Sequence, residues 1–325
     1  MSKAKVYVTR RIPAAGLDRV LAETDATVWE GHLPPSREEI LRQVADCEGL
    51  LCLLTDQIDG ELMDAAPKLK VIAQMAVGYD NVDVAAATAR GIPFGNTPGV
   101  LTETTADFAW ALLMATARRI GDGQKYIRDG KWQTWEPMGL LGPDLYGATL
   151  GIIGLGRIGS AFARRAQGFN MRILYHNPRP KPEVAALVGA EYTDMDTLLA
   201  QSDFVALHCP LKAETTHLIG AAELRKMKAS AILLNTARGP VVDQNALVEA
   251  LREGTIAGAG LDVTDPEPID PNHPLVHMQN VIVTPHIASA SIGARNKMAT
   301  LTANNLLAGL RRQRLPHIVN PEVYE

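Results

Sequence analysis

Cysteine is scarce in this chain. Cys47, Cys52 and Cys209 are an odd number at no metal-like spacing, which argues against a disulfide framework and for unpaired thiols in a reducing cytoplasm. Long hydrophobic runs are missing too. No apolar stretch spans a bilayer, and the N-terminal MSKAKVYVTRRIP lacks a signal-like run, so a soluble cytoplasmic protein off the membrane is expected. Neither sign of charge dominates: 32 Lys plus Arg stand against 36 Asp plus Glu, net −4, without the basic excess of a nucleic-acid binder. His273 and His277 lie four apart in NHPLVH but lack the glutamate of a zinc-protease helix. They are read as surface residues, and no metal is expected.

What is present is α/β patterning. With 325 residues, 46% of them apolar, there is room for two domains with sizeable cores. KVYVTR (5–10), GLLCLLT (49–55) and KVIAQM (70–75) read as strands, separated by helical stretches at 13–23, 36–46 and 59–66. A second series follows: TLGIIG (149–154), RILYH (172–176), FVALHCP (204–210), AILLNTA (231–237), GAGLDV (258–263) and VIVTPH (281–286). Nearly all-apolar strands alternating with helices imply parallel sheets covered on both faces, hence two doubly wound domains. Between the two series, 97–147 begins as a long helix capped by Thr102 and turns irregular and rich in Trp, Gly and Pro. Residues 293–312 read as a closing helix.

The stretch TLGIIGLGRIGSAFARR carries Gly154, Gly156 and Gly159 as G-x-G-x-x-G after a strand and opening a helix. In that setting the first glycine permits a tight turn, the second lets backbone approach a pyrophosphate, and the third lets helix pack on strand. The ribose-gripping acid belongs near the tip of the next strand. ILYHNPRP has none there; Asn177, Arg179 and Lys181 stand in its place. An acid there repels a 2′-phosphate, whereas an amide and basic groups accept it. Two readings stay open: a 2′-phosphate site, or a solvated loop beside an NAD ribose. The first is the expectation, with NADPH preferred over NADH.

Three residues fit one reaction. Arg238, Glu267 and His286 each follow an apolar strand, where ligands bind in open α/β sheets. Arg238 can hold a carboxylate in a fork and polarise the adjacent carbonyl. His286 can protonate an oxygen that becomes an alkoxide as hydride arrives, and Glu267 can orient that histidine.

The ordered set G-x-G-x-x-G, NTARGPVVD, GLDV…EP and TPHIAS resembles the D-isomer-specific 2-hydroxyacid dehydrogenase family over nearly the whole chain. AVGYDNVDV, NTPGVLTETTAD, GKWQTWEP and GLDVTDPEPIDPNHPL are most similar to its glyoxylate/hydroxypyruvate reductases. The resemblance implies a flavodoxin-like substrate domain, 1–98 completed by 288–325, and a Rossmann cofactor domain, 99–287, with the active site in the cleft. It implies that Val77 and Gly78 offer N–H groups to a substrate carboxylate and that Leu54 and Thr55 line the same place. Leu155, Arg157 and Ile158 then cover the pyrophosphate, and Asn177, Pro178 and Arg179 the adenosine ribose. Asp262 meets the nicotinamide carboxamide. Thr105, Thr236, Ala237, His286 and Ala288 complete the cofactor contacts, Ala288 standing where the family usually has Gly. It further implies a homodimer in which Trp135 reaches the partner's active site. The implied activity is reduction of glyoxylate or hydroxypyruvate to glycolate or D-glycerate. The alternatives are another small 2-oxoacid, or a dinucleotide-sensing binding protein of the same fold. Phosphoglycerate is not expected, because no regulatory domain follows Glu325.

Overall fold

The computed structural model describes residues 3–325, which fall into two compact units: the chain up to Leu101 with Ala290–Glu325, and Thr102–Ser289. The first unit runs β1 (Lys5–Val8), α1 (Ala14–Glu23), β2 (Asp25–Val28), α2 (Arg37–Val44), β3 (Gly49–Cys52), α3 (Gly60–Asp64), β4 (Val71–Gln74), α4 (Val84–Ala89) and β5 (Phe94–Gly95). The second begins with α5 (Thr102–Ala117) and α6 (Ile120–Arg128). It continues through β6 (Thr149–Ile153), α7 (Arg157–Gln167), β7 (Arg172–His176), α8 (Pro182–Val188), β8 (Ala190–Tyr192) and α9 (Met195–Gln201). Then come β9 (Phe204–Leu207), α10 (Ala221–Lys226), β10 (Ile232–Asn235), α11 (Gln244–Arg252), β11 (Gly258–Leu261), α12 (Pro274–His277) and β12 (Val281–Val283). Finally α13 (Ile292–Leu310) returns to the first unit.

Both sheets are wholly parallel. The five-stranded one is ordered β2-β1-β3-β4-β5, a flavodoxin-like order; the seven-stranded one is β12-β11-β10-β9-β6-β7-β8. In the second, the strand order reverses between β6 and β9, the place where such folds bind ligands beyond the strand ends. Central strands β3, β4, β9, β10 and β11 are buried at every residue, as their unbroken apolar runs require. Helix starts are fixed by short polar side chains: Ser36, Asp59, Asp83, Asp194, Asp243 and Ser291 each accept a first-turn N–H. Helix α13 lies so close to α1 that a side chain at Gly16 would strike the Ala299 carbonyl.

The structure departs from the sequence reading in three respects. Strands β2, β5 and β8 were not anticipated; β2 and β8 are short, polar edge strands without an apolar run. Several strands end earlier than expected. The run 204–210 leaves the sheet after Leu207, 231–237 after Asn235, and 281–286 after Val283, because the residues beyond turn out of the ladder while staying partly buried. The long helix after 97 is two: Thr102 is its first residue, and Arg119, at φ 51°, breaks it before α6.

Candidate functional site

The glycine loop has the geometry its spacing demands. Gly154 lies at φ +101°, and a Cβ there would sit 2.6 Å from the Cys209 nitrogen, so the loop rests on the chain leaving β9. Gly159 packs against the Gly154 carbonyl, leaving no room for a side chain. Gly156 differs: nothing approaches its Cβ position, and no side chain caps the helix that starts at Arg157. An open backbone beside free first-turn N–H groups and a positive helix end fits an incoming pyrophosphate. Leu155 is buried, Ile158 half-buried, Arg157 exposed, and Thr105 is buried in the first turn of α5. At the end of β10, Asn235 clamps its own loop by accepting the Ala237 N–H (3.0 Å) and donating to the Arg238 carbonyl (2.8 Å). Beside Ala237, the buried Thr236 hydroxyl has no partner among the described residues, a second feature that fits a bound dinucleotide. His208, packed on Phe162, is pulled down to about 4 by burial and adds no positive charge here near neutral pH.

At the tip of β7, Asn177 is buried and its side-chain oxygen accepts the Leu155 N–H at 2.7 Å. It fastens the glycine loop to the strand tip. Pro178, Arg179, Pro180 and Lys181 are exposed. His176 Nδ1 lies 3.0 Å from the Thr193 carbonyl, and its ring stacks on Tyr192.

Glu267 and His286 come together: His286 Nδ1 lies 2.8 Å from Glu267 Oε2. The other carboxylate oxygen of Glu267 accepts the Thr264 N–H at 3.1 Å, so the glutamate is held from both sides. His286 adopts φ 53°, a left-handed backbone uncommon for a non-glycine residue. Its loop is gripped by the buried Asp262, which accepts from the Thr284 hydroxyl (2.7 Å), the Ile287 N–H (2.9 Å) and the Ala288 N–H (2.7 Å). Burial raises the Asp262 carboxyl above the ordinary range, against the pull of these donors. Ala288 is buried and lies outside the left-handed region, so its methyl carries no backbone strain.

Arg238 is seated relative to this pair by its neighbour. A side chain on Gly239 would collide with the Thr264 carbonyl, so the turn after β10 is docked on the turn after β11. Gln244 adds a two-way clasp, donating to the Asp265 carbonyl (2.7 Å) and accepting the Asp265 N–H (3.0 Å). Asn235 and Gln244 are supporting residues that sequence reasoning missed. The available signal was a polar residue ending an apolar run, ILLN.

In the first unit, Leu54 and Thr55 are exposed on a turn held by the buried Asp56, which accepts from the Thr9 hydroxyl (2.5 Å) and the Leu53 N–H (2.8 Å). Val77 and Gly78 are half-buried after β4. The Ala76 carbonyl accepts the Thr97 N–H (2.9 Å), and the Val77 carbonyl accepts from the Asn96 side chain (2.8 Å). A trans peptide points its N–H opposite to its carbonyl, so the Val77 and Gly78 N–H groups face away from these donors.

Trp135 is 79% exposed in the irregular stretch after α6. A cavity of about 460 Å³ is lined by Arg119, Leu141, Pro143, Ile232, Gly258 and Asn280. It lies at the starting ends of β10 and β11, away from Arg238 and His286, and takes no part in this site. Among the described residues, no helix is long and apolar enough to cross a membrane.

A doubly wound parallel sheet, a glycine loop at its switch point and a paired histidine and glutamate at neighbouring strand ends define an oxidoreductase that uses a nicotinamide dinucleotide. Residues 110–288 match the D-isomer specific 2-hydroxyacid dehydrogenase NAD-binding domain. The chain is 54% identical over 322 residues to the glyoxylate reductase of Korarchaeum cryptofilum, covering 99% of this chain and 97% of that one. It is similar to a crystal structure from Thermus thermophilus (TM-score 0.92, 49% identity, 97% and 99% of the two chains). It also resembles the NADPH-dependent glyoxylate/hydroxypyruvate reductase of Sinorhizobium meliloti, solved with NADP and malonate (TM-score 0.86, 35% identity, 99% and 98% of the two chains). The protein belongs to the D-isomer-specific 2-hydroxyacid dehydrogenase family.

Proposed function

We propose that the protein reduces glyoxylate or hydroxypyruvate to glycolate or D-glycerate. The observation that carries this reading is the His286–Glu267 pair, held on a clamped loop next to Arg238. With Nδ1 engaged by Glu267, His286 has Nε2 left to donate a proton to the substrate's 2-oxo oxygen. Arg238 grips the carboxylate and polarises the carbonyl, and the N–H groups of Val77 and Gly78 take the same carboxylate. Reduced nicotinamide supplies the hydride to C2; Gly154–Gly159, Thr105, Thr236, Ala237 and Asp262 belong to its seat. The substrate and cofactor domains of this reading are the first and second units.

NADPH is the proposed donor of choice. Support comes from the missing carboxylate at 176–181, the exposed Arg179 and Lys181, and the NADPH dependence named for the Sinorhizobium relative. A homodimer is also proposed. Its support is the run of exposed apolar residues Ile120, Ile127, Trp132, Trp135, Met138 and Leu141 on α6 and the stretch after it, far more than a solvated arm needs. Trp135 then shapes the partner's substrate pocket. Free thiols at Cys47, Cys52 and Cys209 agree with a cytoplasmic setting.

The test is loss of reduced-nicotinamide absorbance on adding glyoxylate or hydroxypyruvate, with NADPH and NADH in parallel. Turnover of either acid, faster with NADPH, is expected. No turnover with either acid and either cofactor contradicts the proposal.

A further inference from the structure

Beside Val77 and Gly78 lies a buried polar side chain outside the sequence motifs. Gln74 ends β4 with no solvent exposure. Its Nε2 donates to the Gly78 carbonyl at 2.7 Å, and its Oε1 accepts from Asn81 Nδ2 at 3.0 Å. Asn81 Nδ2 also reaches the carbonyls of Leu53 (3.1 Å) and Asp56 (2.7 Å). The buried Gln74 amide and the half-buried Asn81 amide therefore tie the 77–79 turn to the 53–56 turn. The carbonyls of Ala76, Val77 and Gly78 are thus all taken by donors of the same unit, namely Thr97 N–H, Asn96 and Gln74. By trans planarity, the N–H groups of Val77, Gly78 and Tyr79 each face away from those donors. Among the described residues, none of the three has an acceptor. Backbone N–H groups left without an acceptor on one short turn are donors open to an anion.

We propose that Gln74 is a positioning residue for the substrate carboxylate: by fixing the Gly78 carbonyl it adds the Tyr79 N–H to the cradle of Val77 and Gly78, and through Asn81 it holds the Leu54–Thr55 turn in register with them. The inference rests on the reading of Val77 and Gly78 as the carboxylate cradle. A donor lost at Gln74 frees the Gly78–Tyr79 peptide to rotate, which can present a carbonyl oxygen to the anion.

The experiment compares glyoxylate with its uncharged methyl ester in Gln74→Met, which keeps the shape and removes the donor. Oxalate binding to the cofactor-loaded protein is measured by calorimetry alongside. The expected result is a loss of about tenfold or more in kcat/KM for glyoxylate and in oxalate affinity, the worth of one hydrogen bond to a charged group. Cofactor KM and the rate with the ester stay within about twofold. Gln74→Glu is the second variant, should Met not be tolerated. Its neutral carboxyl can donate and its anion cannot, so the glyoxylate-to-ester ratio should recover as pH falls. Equal losses on glyoxylate and ester, or unchanged oxalate affinity, overturn the proposal. A wild-type protein inactive on glyoxylate overturns the function proposed above instead.

Discussion

The two units end their parallel sheets in the same way and equip those ends differently. Beyond β3 and β4, the first unit offers backbone N–H groups, steered by the neutral amides of Gln74, Asn81 and Asn96 with the buried Asp56 beneath them. Beyond β10, β11 and β12, the second offers side chains, Arg238 and His286, steered by the carboxylates Glu267 and Asp262. Neutral supports suit a site that only receives an anion, and burial raises the Asp56 carboxyl above its ordinary range, disfavouring its charged form. Anionic supports suit a histidine that must carry a proton. On the proposed reading, the first unit meets the substrate carboxylate with neutral backbone donors alone, while the second adds the charged Arg238 and moves the proton.

The largest effect that would break this division belongs to Arg238→Ala. Losing two charge-assisted hydrogen bonds should lower kcat/KM roughly 10²–10⁴-fold in steady-state kinetics. A loss below tenfold would move carboxylate recognition wholly to the first unit. Glu267→Gln removes the charge and one of the two acceptors, so its single amide oxygen can serve His286 Nδ1 or the Thr264 N–H but not both. About 10–100-fold should be lost from kcat, on glyoxylate and its methyl ester alike. A loss confined to the charged substrate would place Glu267 in anion recognition.

Asp262→Asn sharpens the role of the clamp. One of its two oxygens, the one facing Ala288 or the one facing Ile287 and Thr284, is replaced by an NH2 group, and kcat/KM should fall about tenfold. Stability should respond otherwise. The folded state holds the Asp262 proton more tightly than the unfolded chain, so this residue's contribution to stability is full at low pH and lost as pH rises through its raised value. Removing that ionisation offsets part of the lost hydrogen bonding at pH 7, and the penalty of the variant should grow as pH falls toward 4. Urea denaturation at both pH values measures it; a penalty that shrinks on acidification contradicts the assignment.

The smallest effect is expected at the tip of β7. In Asn177→Asp with Arg179→Ala, the new carboxylate can still accept the Leu155 N–H and has an oxygen left for a ribose. The NADPH-to-NADH ratio should drop by about tenfold or less, because Arg179 is exposed and its contact is screened. An unchanged ratio removes 2′-phosphate recognition from this tip.

Legibility in the sequence followed the same split. The second unit's chemistry was readable because it sits in side chains with distinctive neighbours: glycines at fixed spacing, an arginine before Gly-Pro, a glutamate between prolines, a histidine after Thr-Pro. The first unit's was not, because backbone N–H groups have no letter of their own. Gln74 stands inside KVIAQM, which reads only as a strand, and its bonds to Gly78 and Asn81 alone give it meaning. Asn177 shows the converse. Its position at a strand tip drew attention to a ligand, while its side chain turns inward to hold Leu155. Strand ends were overrun for a related reason. Val263, Thr264 and Asp262 continue a buried pattern after the ladder has stopped, since these loops are themselves packed.

The most direct test sets His286→Ala beside Gln74→Met, each assayed on glyoxylate and on its methyl ester with saturating NADPH. His286→Ala should lose about 10²–10⁴-fold on both substrates at unchanged cofactor affinity, while Gln74→Met loses activity on the charged one alone. Near-normal turnover by His286→Ala on either substrate would contradict it.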